Sequence, residues 1–338
     1  MRKVSFDELK ATFKEILLSR GLSDKKADIA AQNFAETSAD GIYSHGVNRF
    51  PRAVSNIDDG VIDINAEPEC VSAFGAFERW DGNLGMGNYN AFLAMNRACE
   101  LAKEHGVGIV AMKNTNHWMR GGAYGWQAAD NGMLGICWTN TWPNMPAWGG
   151  LEQKLGNNPF IMAVPKQNGH HMVLDMAVSQ YAYGKVEFLY MKGEQLPYPG
   201  GWDTKGNLTT DPAEIMKSKR FLPVGYWKGS GMSILMDVFA NALAAGYLVN
   251  EVKSKFGGEE MGLTQFFMAI NPRVMDTPEY TDSVIDRVVE DIKASTPETE
   301  GGKIFYPGEI EVITREDHMK NGIPVLDEVW DKIQALKK

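Results

Sequence analysis

Two histidine-centred segments carry the side chains best suited to moving a proton. Tyr43-Ser44-His45-Gly46 lies in a polar connector, Ser38 to Phe50, with Arg49 and Arg52 close behind. An imidazole titrates near neutrality and a guanidinium fork matches a planar carboxylate, so the spacing suits proton transfer to an anionic ligand. It equally suits a surface histidine beside a helix start. The second segment is Asn114-Thr115-Asn116-His117-Trp118-Met119-Arg120-Gly121-Gly122. It follows an apolar run that reads as a buried strand, and open α/β sheets hold their ligand sites at such strand ends.

His170-His171 with Asp175 invites a metal reading, but adjacent strand residues face opposite ways and no Cys or His partner lies at a usual spacing. No metal is expected. Asp175 closes the apolar run Met172-Val173-Leu174, where a carboxylate either accepts ribose hydroxyls or caps the next turn. Ser44 beside His45 raises a nucleophile–base pair, yet Gly-x-Ser-x-Gly is absent and hydrolysis stays the weaker reading. Three glycine runs approach Gly-x-Gly-x-x-Gly without matching it between a strand and a helix. Gly106-Val107-Gly108 opens a strand, Gly85-Met86-Gly87 lacks the third small residue, and Gly229-Ser230-Gly231 continues into Met232-Ser233-Ile234. Lys228 before the last run suits an anion at a helix start, or is a solvated lysine at a glycine turn.

The elements that must carry these groups fall into two styles. Ser5 with Glu8 reads as a capping box, and Leu9, Phe13, Ile16 and Leu17 recur at helical spacing until Gly21. A second helix is expected from Ser23 to about Thr37 and a third from Pro51 through Ile57 to Gly60. Beyond residue 70, β-type runs alternate with helices. Strands are expected at Cys70–Trp80, Val107–Met112, Met133–Trp138, Ile161–Val164, Met172–Leu174 and Phe266–Ile270. Helices are expected at Tyr89–Lys103, Gly122–Asn131, from about Gly231, at Val284–Ile292 and at Leu326–Leu336. Residues 190–223, rich in Gly, Pro and charge, read as an irregular excursion. The pattern is α/β with a helical N-terminal part.

With 338 residues, 44% of them hydrophobic, the chain can bury a sizeable core, which excludes a disordered or fibrous protein. Forty-three acidic against 34 basic residues leave a net charge of -9, which disfavours nucleic acid as a partner. Cys70, Cys99 and Cys137 fit neither a disulfide framework nor a Cys-x-x-Cys site, and a reducing cytoplasm is the expected compartment. The start Met1-Arg2-Lys3-Val4-Ser5-Phe6-Asp7-Glu8 indicates no export, and Val238–Val249 is too short for a membrane span.

Together, Tyr43 to Arg52, Asn116 to Gly122, Gly125 to Ala129, Gly135 to Asn140 and Gly225 to Met232 resemble the type 2 malate/L-lactate dehydrogenase (sulfolactate dehydrogenase-like) family. The resemblance covers nearly the whole chain. It implies an α/β fold that binds NAD without a Rossmann motif, on a mostly antiparallel mixed sheet with helices, beside a mainly helical domain. The helical domain would span 1–75 with 310–338, and the NAD-binding domain 76–309. By the same resemblance His45 would donate a proton to the substrate carbonyl and His117 would be the second acid–base candidate. Ser44, Arg49 and Arg120 would bind substrate. His171, Met172, Val173, Leu174, Asp175, Met176, Ala177, Trp227, Lys228, Pro307, Gly308 and Glu309 would bind the cofactor, NADH with NADPH as an alternative. A cytoplasmic homodimer reducing a 2-keto acid is implied, with a sugar-derived diketo acid as the first expectation and malate, lactate or ureidoglycolate as alternatives. A small-molecule binding protein without turnover is the reading from another class.

Overall fold

The computed structural model describes residues 1–257 and 260–337. The first strand, β1 (Arg2–Val4), leads into α1 (Phe6–Ser19), α2 (Asp24–Ala39) and α3 (Phe50–Asp58). Ser5 Oγ accepts the Glu8 N–H at 3.2 Å, and α1 buries the expected stripe of Leu9, Phe13, Ile16 and Leu17. Phe13, Phe34 and Phe50, one from each helix, meet at ring-centroid distances of 4.1–6.0 Å. The expected strand Cys70–Trp80 is instead a hairpin, β2 (Glu69–Phe74) and β3 (Phe77–Asp81). Gly75, at φ +55°, turns the chain between two runs that both look β-like in sequence.

From there α4 (Gly87–His105), β4 (Val107–Thr115), α5 (Gly122–Asp130) and β5 (Leu134–Thr139) follow the expected alternation. The short strands β6 (Met145–Pro146) and β7 (Gln153–Leu155) precede β8 (Phe160–Val164) and β9 (Met172–Met176). The stretch read as irregular is more ordered than its composition suggests: it holds the end of α6 (Tyr183–Lys192), β10 (Gly201–Trp202), β11 (Leu208–Thr209) and α7 (Pro212–Ser218). Asp211 caps α7 through the Ala213 N–H, and Val186, Leu189, Ile215 and Phe221 give this part its own small core. The long helix α8 (Trp227–Ala244) starts four residues before Gly231, so Gly229-Ser230-Gly231 sits inside its first turns. Then come α9 (Val249–Phe256), β12 (Leu263–Ile270), α10 (Pro278–Lys293), α11 (Glu309–Asn321), β13 (Ile323–Val325) and α12 (Asp327–Ala335). Neither α9, α11 nor the β1–β13 pair has a counterpart among the sequence expectations.

The main sheet has seven strands in the order β2-β3-β4-β12-β5-β8-β9, and only β3–β4 is a parallel pair. This is the mostly antiparallel arrangement expected. Alternate residues of its strands face opposite layers. Val110, Met112, Phe267 and Ala269 pack under α4 and α5, whereas Ala111, Trp138 and Phe266 pack under α8. A separate core joins α1–α3 to Ile323, Val325, Trp330 and Ile333 from the other end of the chain. Among the described residues no single helix is long and apolar enough to cross a membrane. Cys70, Cys99 and Cys137 are all free thiols.

Candidate active site

The connector between α2 and α3 is shaped by Ser38. Its hydroxyl donates to Phe34 O at 2.7 Å and accepts the Val47 N–H at 2.8 Å, and it occupies the space where a side chain on Gly46 would stand. The turn that results presents Ser44 outward and leaves His45 half-buried. Helix α11 braces it from the far end of the chain. His318 bonds Ala39 O at 2.8 Å and Tyr43 Oη at 3.2 Å.

The second segment is held by amides. Asn116 Nδ2 donates to Leu84 O at 2.7 Å and Gly85 O at 3.0 Å, and Gln265 Nε2 on β12 donates to Asn116 O at 3.2 Å. Met119 takes φ +66°, which an L side chain rarely adopts, and so turns its N–H onto His117 Nδ1 at 3.0 Å. Such strain is sustained only where surrounding contacts over-determine it.

These two loops bring the expected acid–base pair together. The His45 and His117 rings stack with centroids 6.0 Å apart and planes 16° from parallel. Ser44 Oγ lies 3.0 Å from His45 Nδ1. Since His117 Nδ1 accepts a backbone N–H, neutral His117 carries its proton on Nε2 and presents a donor there. Burial pushes the His117 pKa down to about 3, and pushes that of His45 down as well, with Asp175 and Glu260 opposing the shift there.

Two salt links connect the loops. Arg49 pairs with the carboxylate of Glu260, which also lies 3.9 Å from Arg52, while the Glu260 backbone carbonyl accepts the His117 N–H at 3.1 Å. Burial raises the Glu260 carboxyl, but His117, Arg49 and Arg52 outweigh it and hold it at about 2. Arg120, only 3% exposed, pairs with Asp40 at the end of α2, and Arg315 of α11 pairs with the same carboxylate. Arg120 therefore faces acids, buried Asp40 and, 3.5 Å from its Nε, the more exposed Asp175. Glu260 and Asp40 were missed by sequence reasoning; each lies far along the chain from the arginine it holds, and no local pattern marks it.

The segments expected to hold the cofactor converge along the sheet edge at β9. Val173 N donates to Pro307 O at 2.9 Å, which sets His171–Val173 against Pro307-Gly308-Glu309. Past the end of β9, Val224 N, three residues before Trp227 at the start of α8, donates to Val178 O at 2.8 Å. Gly308, at φ +94°, comes so close that a Cβ there would lie 3.0 Å from Val173 N, so a side chain would be strained and would press on β9. Trp227 is 63% exposed and offers an open aromatic face.

Three of these positions have structural partners of their own. His171 is buried, accepting the Lys166 N–H at 2.9 Å on Nδ1 and meeting Asp130 at 2.9 Å through Nε2. Asp175 Oδ2 accepts the Gly122 N–H at 2.9 Å at the start of α5, while Oδ1 makes no hydrogen bond among the described residues. The N–H groups of Lys228, Gly229 and Ser230 are taken by Gly225, Val224 and Tyr226 carbonyls, so the glycine run serves the turn itself. No group of three or more His, Cys, Asp or Glu placed to hold a metal occurs among the described residues.

The sequence profile described as malate/L-lactate dehydrogenase matches residues 4–334. A 2,3-diketo-L-gulonate reductase from Escherichia coli (strain K12 / DH10B) is 44% identical over 335 residues, covering 99% of this chain and all of that protein. Among solved structures, sulfolactate dehydrogenase from Methanocaldococcus jannaschii aligns with a TM-score of 0.88 and 30% identity, over 99% of this chain and 96% of the other. Malate dehydrogenase from Pyrococcus horikoshii OT3 aligns with a TM-score of 0.89 and 29% identity, over 99% and 94%.

Proposed function

This chain belongs to the malate/L-lactate dehydrogenase family and is an oxidoreductase of keto and hydroxyl groups, and from that premise we propose that it reduces the C2 ketone of a 2-keto acid. The substrate favoured is 2,3-diketo-L-gulonate, giving 3-keto-L-gulonate, on the strength of the full-length identity to reductases of that compound. NADH is the proposed donor, with NADPH as alternative, held by His171 to Ala177, Trp227, Lys228 and Pro307 to Glu309. The convergence of these segments along β9 supports that placement, on a sheet without a Rossmann glycine motif. When bound, the dinucleotide supplies hydride to the carbonyl carbon.

The observation that carries the reading is the stacked His45–His117 pair with a guanidinium at its side. Arg49 offers a donor fork to the substrate carboxylate, and Ser44 Oγ orients His45 through Nδ1. His117, neutral and with its proton fixed on Nε2, polarises the carbonyl by donating to its oxygen. His45 is then the group that delivers the proton. A bound anion offsets the burial that lowers its pKa, so proton affinity rises when substrate arrives.

The same reading divides the chain into a helical part, 1–75 with 310–338, and an α/β part, 76–309. The core shared by α1–α3, β13 and α12 supports it. A cytoplasmic homodimer completes the proposal: Ile234, Leu235, Val238 and Phe239 form an exposed apolar face on α8 that a second copy would cover. A panel of 2-keto acids scanned with NADH and NADPH tests the function. Turnover of 2,3-diketo-L-gulonate with kcat/KM above pyruvate and oxaloacetate is expected. Equal or better use of either small acid would favour the malate/lactate reading, and no NADH oxidation beyond one equivalent per chain would favour a binding protein.

A further inference from the structure

Glu260 carries no role in the reading above, yet it touches both chemistry-bearing loops. Its backbone carbonyl holds the His117 N–H and its carboxylate pairs with Arg49, with Arg52 at 3.9 Å. The Arg49 and Glu260 side chains are 17% and 18% exposed, so this pair is largely screened from water, whereas Arg52 is 56% exposed. Opposite and like charges therefore act strongly on anything bound between Arg49 and the histidines. The neighbouring charges offer no free cation: Arg120 and Arg315 converge on Asp40, with Asp175 3.5 Å and Glu311 4.0 Å from Arg120, three acids against two bases. Among the described residues, the charges left to meet a ligand's carboxylates are Arg49, Arg52 and Glu260, two positive and one negative. One carboxylate balances that surplus; a second one does not.

We infer that Glu260 is a specificity-determining residue that restricts the site to monoanionic 2-keto acids by placing a fixed negative charge beside the Arg49–Arg52 pair. The inference rests on the reading of Arg49 as the carboxylate clamp. A 2-keto acid with a single carboxylate and neutral hydroxyl or keto groups farther along bonds the Arg49 donors that Glu260 does not use and leaves Glu260 paired with Arg49 beside Arg52. A dicarboxylate brings a second charge that either faces Glu260 or displaces it from the guanidinium groups, and both outcomes penalise binding and the transition state alike.

The experiment measures kcat/KM for pyruvate, a monoanion, and oxaloacetate, a dianion, with NADH in the wild type, Glu260→Gln, Glu260→Asp, Arg52→Gln and Arg49→Lys. Glu260→Gln is expected to raise the oxaloacetate-to-pyruvate ratio at least tenfold, and Glu260→Asp to keep the wild-type ratio. Arg52→Gln, at an exposed position, is expected to lower the ratio and gives a reading even if Glu260→Gln folds poorly. A purely structural Glu260 would depress both substrates equally, leaving the ratio unmoved, and that result overturns the inference. If Arg49→Lys leaves kcat/KM unchanged for both acids, the clamp itself is wrong and the inference falls with it. A tenfold or greater loss in Arg49→Lys beside an unmoved ratio in the Glu260 and Arg52 variants rejects the specificity role alone.

Discussion

The proposed acid–base chemistry rests on two imidazoles whose Nδ1 atoms meet different partners. Met119 N–H fixes His117 as a donor through Nε2, while His45 meets a serine hydroxyl that can serve either tautomer. His45→Asn is accordingly expected to lower kcat by about 10²–10⁴-fold, the usual range for removing a general acid, with little change in cofactor affinity. His117→Asn should cost less in kcat than His45→Asn; steady-state kinetics showing the reverse order would transfer the proton to His117. The pKa of His117 also predicts a stability profile. Between its folded value of about 3 and the ordinary histidine value near 6.5, the unfolded chain binds a proton that the folded chain refuses. Stability therefore rises with pH through this window, by at most about 1.4 kcal/mol per pH unit for this one proton, and is lost on acidification. Denaturant melts from pH 5 to 6.5 should show a shallower slope for His117→Asn, and parallel slopes would contradict the assignment.

At the scale of elements, the edge strand β9 does two jobs. It closes the sheet and bonds Pro307 through the Val173 N–H, and just past its end Val178 O accepts the Val224 N–H. Asp175 near its end accepts the first N–H of α5, an arrangement worth about 1 kcal/mol by analogy with helix N-caps, and its other oxygen makes no hydrogen bond among the described residues. Asp175→Ala should thus lower stability by about that amount and raise the KM for NADH several-fold. Loss of stability with an unchanged KM would leave Asp175 as a helix cap. Gly308→Ala probes the same edge differently, since a Cβ at φ +94° would press on Val173 N. A stability loss of about 1–3 kcal/mol together with weaker NADH binding is expected, measured by thermal melts and fluorescence titration.

For the molecule as a whole, the exposed apolar run on α8 argues for association. Light scattering on an active sample should give twice 37.5 kDa or a higher multiple. Leu235→Glu, placed in the middle of that face at 69% exposure, should weaken the assembly without disturbing the core. A monomeric mass for fully active enzyme would defeat the proposal.

Much of this was legible locally. The α1 stripe, the alternation after residue 70 and the motifs around His45 and His117 are runs of a few residues whose periodicity and composition express short-range physics. The hairpin at Gly75 was not, because two β-like runs joined by two residues look like one longer strand. Helix α11 was not either: its polar sequence has no apolar stripe, so nothing local separates it from a solvated segment, yet its Arg315 and His318 brace the connector that carries His45. The links that set the site's charge, Arg49 to Glu260 and Arg120 to Asp40, join residues 211 and 80 positions apart. Charge pairing of that kind has no periodicity to read. It exists only once the sheet and its flanking helices have carried the partners to one place, where burial strengthens their interaction enough to hold the two histidines face to face.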